Sequence, residues 1–212
     1  MKVAKYPQSH LVISNDLGKK LIIDPGYLTY KSGFKVSDFQ GADVYLITHQ
    51  HSDHLDPETI KEVVKESPVY GNTDVVTKLK GCGVKGIEIE DQQEFTVAGF
   101  VIRAIDIPHF KKPGVEMPPN TGYLIQRIFF HPGDGWNLHG VSSPNAAVPI
   151  SGPPEGEIGF TQALTLAKSL GAKTVIPIHY DLYQADVTSF SEIAQKADIR
   201  VIPLSPGQET TI

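Results

Sequence analysis

Thiols are nearly absent from this 212-residue chain. Its single cysteine, Cys82, excludes an internal disulfide and a cysteine-built zinc or iron–sulfur site. Positive charge is not in excess: 19 Lys and Arg stand against 24 Asp and Glu, a net charge of −5. Phosphate backbones need a basic surface, so nucleic acid is not expected as a partner. No stretch approaches the ~18 apolar residues of a membrane span, and the opening MKVAKYPQSH has no apolar run fit for a signal peptide. These absences predict a cytoplasmic protein with a small-molecule substrate, and they set no oligomeric state. P-loop and G-x-S-x-G patterns are missing too, which leaves nucleotide-loop and serine-hydrolase chemistry without support. One G-x-G-x-x-G does occur, Gly81 to Gly86, but it follows a predicted helix and leads into a predicted strand, the reverse of a dinucleotide loop. Gly81 there reads as a helix cap, and Cys82 as apolar filler.

What is present is an ordinary globular composition, 40% hydrophobic and 20% charged, long enough for one large domain. Apolar alternation predicts strands at His10–Ser14 and Lys19–Ile23 across an Asn-Asp-Leu-Gly turn, and a buried strand at Asp43–Thr48. A helix is predicted to start at Asp56-Pro57-Glu58, and a second over Thr73–Lys80. Strands follow at Val69-Tyr70, Gly86–Glu90, Glu94–Ala98, Phe100–Ile107, Gly122–Gln126, Ile128–His131, Ala146–Ile150, Thr174–Ile178 and Arg200–Leu204. Later helices are predicted at Phe160–Leu170 and Ser189–Ala197. The pattern reads as a long β-meander with helices inserted in both halves, an α/β sandwich. Two Pro- and Gly-rich loops, Phe110–Pro119 and Ser151–Gly159, read as active-site rims.

Eight histidines are scattered through the chain, but three of them cluster. From Thr48 to Asp56 the sequence is T-H-Q-H-S-D-H-L-D, directly after a buried strand. Imidazoles and carboxylates are the ligands zinc takes when thiolates are lacking. His49 and His51 are two apart, so in extended chain they point the same way. Asp53 and His54 follow a turn of the chain and can face a second point nearby. Such a loop can aim donors at two metal ions, and a solvated polar loop rarely packs four ligand-type residues so tightly.

The His-x-His-x-Asp-His motif after a strand resembles the signature of the metallo-β-lactamase-fold hydrolases. That family takes further ligands from later strand ends, and candidates occur here in the same order: His109 in I-P-H-F, Asp134 in F-F-H-P-G-D-G, and His179 in V-I-P-I-H-Y. The resemblance runs from about Leu11 to Pro206. It implies a four-layer αββα sandwich as a single domain over residues 1–212, with the site where strand ends meet. It also implies a metal-dependent hydrolase holding two zinc ions per chain, with manganese(II) or iron(II) as alternatives. His49, His51 and His109 would hold one ion and Asp53, His54 and His179 the other, with Asp134 as the bridge. A metal-bridging hydroxide would attack a small ester, lactone or phosphodiester, with Asp53 as the catalytic residue that orients it. Lacking a large inserted domain or a basic arm, the chain is most similar to the small stand-alone members, the ascorbate-phosphate lactonase-like and phospholipase D-like branch. Two other readings remain: a mononuclear iron oxygenase of the same fold acting on a sulfur substrate, and a non-catalytic metal-binding protein.

Around these ligands, Asp24 in I-D-P-G matches an aspartate the family often keeps to accept a ligand histidine's second N–H; it reads equally as a turn aspartate before Pro25. His131 reads as structural or as a partner to a ligand. Tyr180 and Asp181 face the pocket or cap the strand, Trp136 lines the site or packs, and His10 and His139 read as ordinary polar residues.

Overall fold

The computed structural model describes residues 1–212. The first seven-stranded sheet has the order β14-β1-β2-β3-β4-β5-β6, from β1 Lys2–Lys5, β2 Leu11–Ser14, β3 Lys20–Ile23, β4 Val44–Leu46, β5 Val69–Gly71, β6 Gly86–Glu88 and the returning β14 Glu209–Thr211. The second has the order β13-β12-β11-β10-β9-β8-β7, from β7 Glu94–Val97, β8 Phe100–Asp106, β9 Thr121–Ile125, β10 Phe129–His131, β11 Asn145–Pro149, β12 Thr174–Ile178 and β13 Arg200–Val201. Both are mixed. The meander expected from the sequence holds for β2–β3 and β7–β10, and an unpredicted β1 extends it, but β3 to β6 and β10 to β13 pair in parallel. Parallel pairs need crossovers, and helices supply all of them except β10 to β11, which is joined by a loop.

Strand alternation divides the apolar residues among three interfaces. Leu21, Ile23, Val44 and Leu46 point from the first sheet onto Phe100, Ile102, Tyr123 and Phe129 of the second, forming the central layer. Ile22 and Tyr45 face the other way, under α2 Ile60–Val64 and α3 Thr73–Gly81. Phe130, Ala146 and Val148 face outward from the second sheet, under α4 Phe160–Leu170 and α5 Val187–Gln195. Helix, sheet, sheet, helix are the four layers of the metallo-β-lactamase fold. No helix is long and apolar enough to cross a membrane.

Several local expectations are corrected. The helix predicted at Asp56 begins at Ile60, because the Asp56 carboxylate instead closes a turn, accepting from Glu58 N–H at 3.2 Å and Thr59 Oγ1–H at 2.6 Å. Gly81 is the last residue of α3 and not its cap; Cys82 follows it, and the left-handed position falls on Gly83, φ 72°. The last helix starts at Val187, two residues early, because Asp186 caps it through Thr188 N–H. His10 is no ordinary polar residue: it is fully buried between Tyr6 and Phe39, with Nδ1 2.8 Å from Thr29 Oγ1. Also unforeseen were β1, β14 and the short α1, Tyr27–Lys31.

Candidate metal centre

The loop after β4 builds half the site. Its backbone makes one helical turn, with both His54 N–H and Leu55 N–H donating to His51 C=O, and this swings Asp53 and His54 away from the direction of His49 and His51. Asp24, left-handed at φ 51°, anchors the loop: Oδ1 accepts from Thr48 N–H at 2.8 Å and Oδ2 from Thr48 Oγ1–H at 2.7 Å. Gly26 is required next to it, since a Cβ there would lie 1.8 Å from the Asp53 carbonyl oxygen.

The second sheet supplies its donors from three separate loops. His109 follows β8, Asp134 follows β10, and His179, at φ 60°, follows β12. Asn120 clamps the first two loops: its Nδ2 donates to Ile107 and Pro132 carbonyls at 3.0 and 2.9 Å, and its Oδ1 accepts from Asp134 N–H at 3.1 Å. Gly133 admits this contact, because a Cβ on it would meet Asn120 Oδ1 at 2.1 Å. His131 is buried and structural: Nδ1 accepts from Gly133 N–H at 3.1 Å, and Nε2–H donates to Ser9 C=O at 2.9 Å.

All seven predicted residues converge in two groups whose donor atoms lie within 4.8 Å of one another. His49, His51, His109 and Asp134 form one group; Asp53, His54 and His179 form the other. In the first, His49 Nε2 lies 3.0 Å and His109 Nε2 3.3 Å from His51 Nδ1. The far nitrogens are taken: His109 Nδ1–H donates to Phe110 C=O, and His49 Nδ1 lies 3.1 Å from Thr48 Oγ1. The Nε2 lone pairs of His49 and His109 therefore both face His51 Nδ1, an arrangement that suits a cation. In the second group, His54 Nδ1–H donates to Asp24 at 2.7 Å and His179 Nδ1–H to Ser151 C=O at 2.7 Å. Their Nε2 atoms lie 3.8 and 3.6 Å from Asp53 Oδ2. Asp134 belongs to both groups, with Oδ1 3.1 Å from His54 Nε2 and Oδ2 3.1 Å from His179 Nε2 and 3.5 Å from His109 Nε2.

These residues fit metal ions on two counts. Donors on ~2.1 Å arms at tetrahedral angles stand ~3.4 Å apart, the spacing found here. The buried atoms His54 Nε2, His179 Nε2 and Asp134 Oδ1 also lack a hydrogen-bond partner within the chain, and all three point into the centre. The electrostatics call for positive charge. Burial would push the Asp134 carboxyl up, but His179 and His54 hold it well below the usual carboxylate range. Burial would pull His54 down, yet Asp134, Asp24 and Asp53 lift it well above its usual value. His179 is lifted to about 10 in the same way by Asp134 and Asp53. His51, by contrast, falls to about 4 through burial and its neighbours His109 and His54.

A cavity of about 270 Å³ opens onto the centre. Phe110, Met117 and Pro153 come from the two Pro- and Gly-rich loops, as expected of rims, and face Tyr27, Leu182 and Tyr183; Lys112 is the one lysine in the wall. Trp136 packs beneath the outer helices instead. Tyr180 turns away, donating to Leu204 C=O, and Asp181 binds Lys5. Gln8, Asn72 and Asn120 escaped the sequence reading, each a lone buried polar residue without motif context; Thr48 stands in the motif, but its bond to Asp24 is seen only in the structure.

Comparison with known proteins gives concordant findings. Residues 2–179 match the Beta-lactamase superfamily domain. A UPF0173 metal-dependent hydrolase of Methanoregula boonei is 28% identical over 216 residues, covering 92% of this chain and 91% of that protein. Igni18, a metallo hydrolase of Ignicoccus hospitalis, is similar in structure with a TM-score of 0.77 at 22% identity, over 100% of this chain and 97% of its own. YhfI of Bacillus subtilis, a metallo-beta-lactamase fold protein, gives 0.73 at 15% identity over 99% and 98% of the two chains.

Proposed function

The chain belongs to the metallo-β-lactamase superfamily, and from that premise we propose that it is a metal-dependent hydrolase with a dinuclear centre. His49, His51 and His109 would hold one ion, Asp53, His54 and His179 the second, and Asp134 both. The observation that carries this reading is Asp134, whose two oxygens reach histidines of both groups at 3.1–3.5 Å. The all-nitrogen-and-oxygen donor set favours zinc. When bound, such a metal pair supplies a Lewis acid for the scissile group and a nucleophile derived from water near neutral pH.

The chain's own residues do the rest. Asp24 and the Phe110 and Ser151 carbonyls fix three imidazoles in the tautomer that presents Nε2. Asp53, at the cavity floor, orients the attacking water. Phe110, Met117, Pro153 and Leu182 give the cavity apolar walls, and Lys112 one positive charge. These features support a compact ester, lactone or phosphodiester as substrate. The test is metal content after purification without chelator, paired with His54→Ala. Two zinc ions per chain, falling toward one in the variant, are the expected result. One iron per chain, unchanged by the variant, would overturn it in favour of oxygen-dependent sulfur chemistry.

A further inference from the structure

We propose that Gln8 is a positioning residue for Asp53, its carboxamide tying the pocket wall to that carboxylate; the assignment rests on the reading of Asp53 as a metal ligand. Gln8 lies between β1 and β2, remote in sequence from every member of the centre, and is fully buried. All four of its polar groups are engaged. Its N–H donates to Asp181 Oδ2 at 2.6 Å, and its C=O accepts from His179 N–H at 3.0 Å. Its Nε2 donates to Asp53 Oδ2 at 3.1 Å, and its Oε1 accepts from Leu182 N–H at 3.4 Å. The residue sits at φ 64°, the left-handed region that a side chain with a Cβ disfavours. Such a conformation persists only where its surroundings over-determine it, and such places concentrate at functional sites.

The surroundings here do so. Asp181, which takes the Gln8 N–H, is paired at 3.1 Å with the ammonium of Lys5, whose side chain is fully buried. That ammonium also lies 4.4 Å from the centre of the Tyr180 ring. Lys5, Asp181 and the His179 N–H thus hold the Gln8 backbone, and the side chain is aimed from a fixed base.

Two consequences follow for Asp53. The oxygen that accepts from Gln8 is the one facing His54 and His179, so the bond holds this carboxylate in the rotamer that serves the second group. An amide does this without charge, so Asp53 gains a donor while the centre keeps its negative charge for metal. The same planar group also holds Leu182 N–H, next to Tyr183 in the cavity wall.

The test is zinc titration of metal-stripped protein against a chromophoric chelator, which reads a dissociation constant for each site without reference to turnover. Gln8→Met keeps similar volume and both backbone bonds but removes both side-chain bonds. The expected result is a loosening of the Asp53, His54 and His179 site by about 10–100-fold, with the His49, His51 and His109 site held within about threefold. In an Asp53→Ala background the same substitution changes neither constant, because the path to the metal is gone. Gln8→Gly suits the backbone and removes the carboxamide, so it gives the same selective loosening and sets aside a packing fault peculiar to methionine. Equal loosening at both sites, no loosening, or loosening that persists with Asp53→Ala would overturn the assignment. A wild-type chain that takes up one ion or none fails at the proposed centre before any Gln8 variant is made, and overturns both.

Discussion

In the first sheet four donors leave one loop, His49 to His54, behind the parallel strand β4; in the second, three donors leave three loops, behind β8, β10 and β12. The two sheets are otherwise wired alike, antiparallel strands giving way to parallel ones in the same order. The concentrated half is held by side chains close in space, Asp24 and Thr48. The dispersed half needs a clamp between loops, and Asn120 is that clamp. A loop dense in ligands sets its own geometry, whereas dispersed ligands depend on what fixes their loops to one another.

The largest effect expected from breaking this arrangement is at its shared member. Asp134→Ala removes the one carboxylate common to both groups, and hydrolysis is expected to fall on the order of a thousandfold, comparable with deleting a main transition-state contact. Metal analysis of the same variant should show both sites depleted, whereas His54→Ala should deplete one.

Next come the two close-approach glycines, one on each side of the comparison. Gly26→Ala drives a methyl into the Asp53 carbonyl, and Gly133→Ala drives one into Asn120 Oδ1. Each is expected to cost about 3 kcal/mol or more, visible as a lowered thermal midpoint. Their metal signatures should differ, Gly26→Ala weakening the second site and Gly133→Ala, which displaces Asp134, weakening both. Equal signatures would break the comparison.

Asn120→Ala tests the clamp alone. The Ile107 carbonyl and the Asp134 N–H lose their partner in a buried place, while the Pro132 carbonyl keeps Gly135 N–H at 3.2 Å; the cost is about 1–3 kcal/mol for each orphaned group that water does not reach. Urea unfolding should show the loss, and the His109 and Asp134 side of the centre should loosen while His54 keeps its bond to Asp24.

The smallest effect lies outside the centre, in the first sheet's aromatic nest. Burial, with Lys5 and His131 nearby, lowers the His10 pKa to about 3. Between pH 6.5 and that value the unfolded chain takes up a proton that the folded chain refuses, so stability falls as pH drops below 6.5. By linkage the loss is roughly 1.4 kcal/mol per pH unit in that window, about 2 kcal/mol at pH 5. His10→Phe should remove this share, about 2 kcal/mol, from the loss of stability between pH 7 and pH 5 read by urea unfolding.

Legibility in the sequence follows the same division. His49, His51, Asp53 and His54 stand out because four ligand-type side chains rarely crowd into six residues outside a metal loop. His109, Asp134 and His179 are each ambiguous alone and gain meaning only from their order along the chain. Helix α4 and strand β12 have the bounds expected of them, because apolar periodicity and a closing Gly171 agree. The helix start expected at Asp56 fails because one aspartate can cap a turn as well as a helix, and local chemistry does not say which. The parallel pairing is not visible, since a short buried strand looks the same in either direction. Gln8 and Asn120 are silent because a single amide has no pattern; its meaning lies in partners more than ten residues away.

Each donor group draws on both sheets: His49 and His51 with His109 and Asp134, Asp53 and His54 with His179. Ions held there are cross-links between the two halves, and neither site exists until the halves have packed. Folding and metal uptake are then linked equilibria. Free metal a thousandfold above its dissociation constant adds about 4 kcal/mol to the folded state, a large share of a typical domain's stability. Metal scarcity would therefore act on the amount of protein as well as on its turnover, because stripped chains open more often and proteases meet them first.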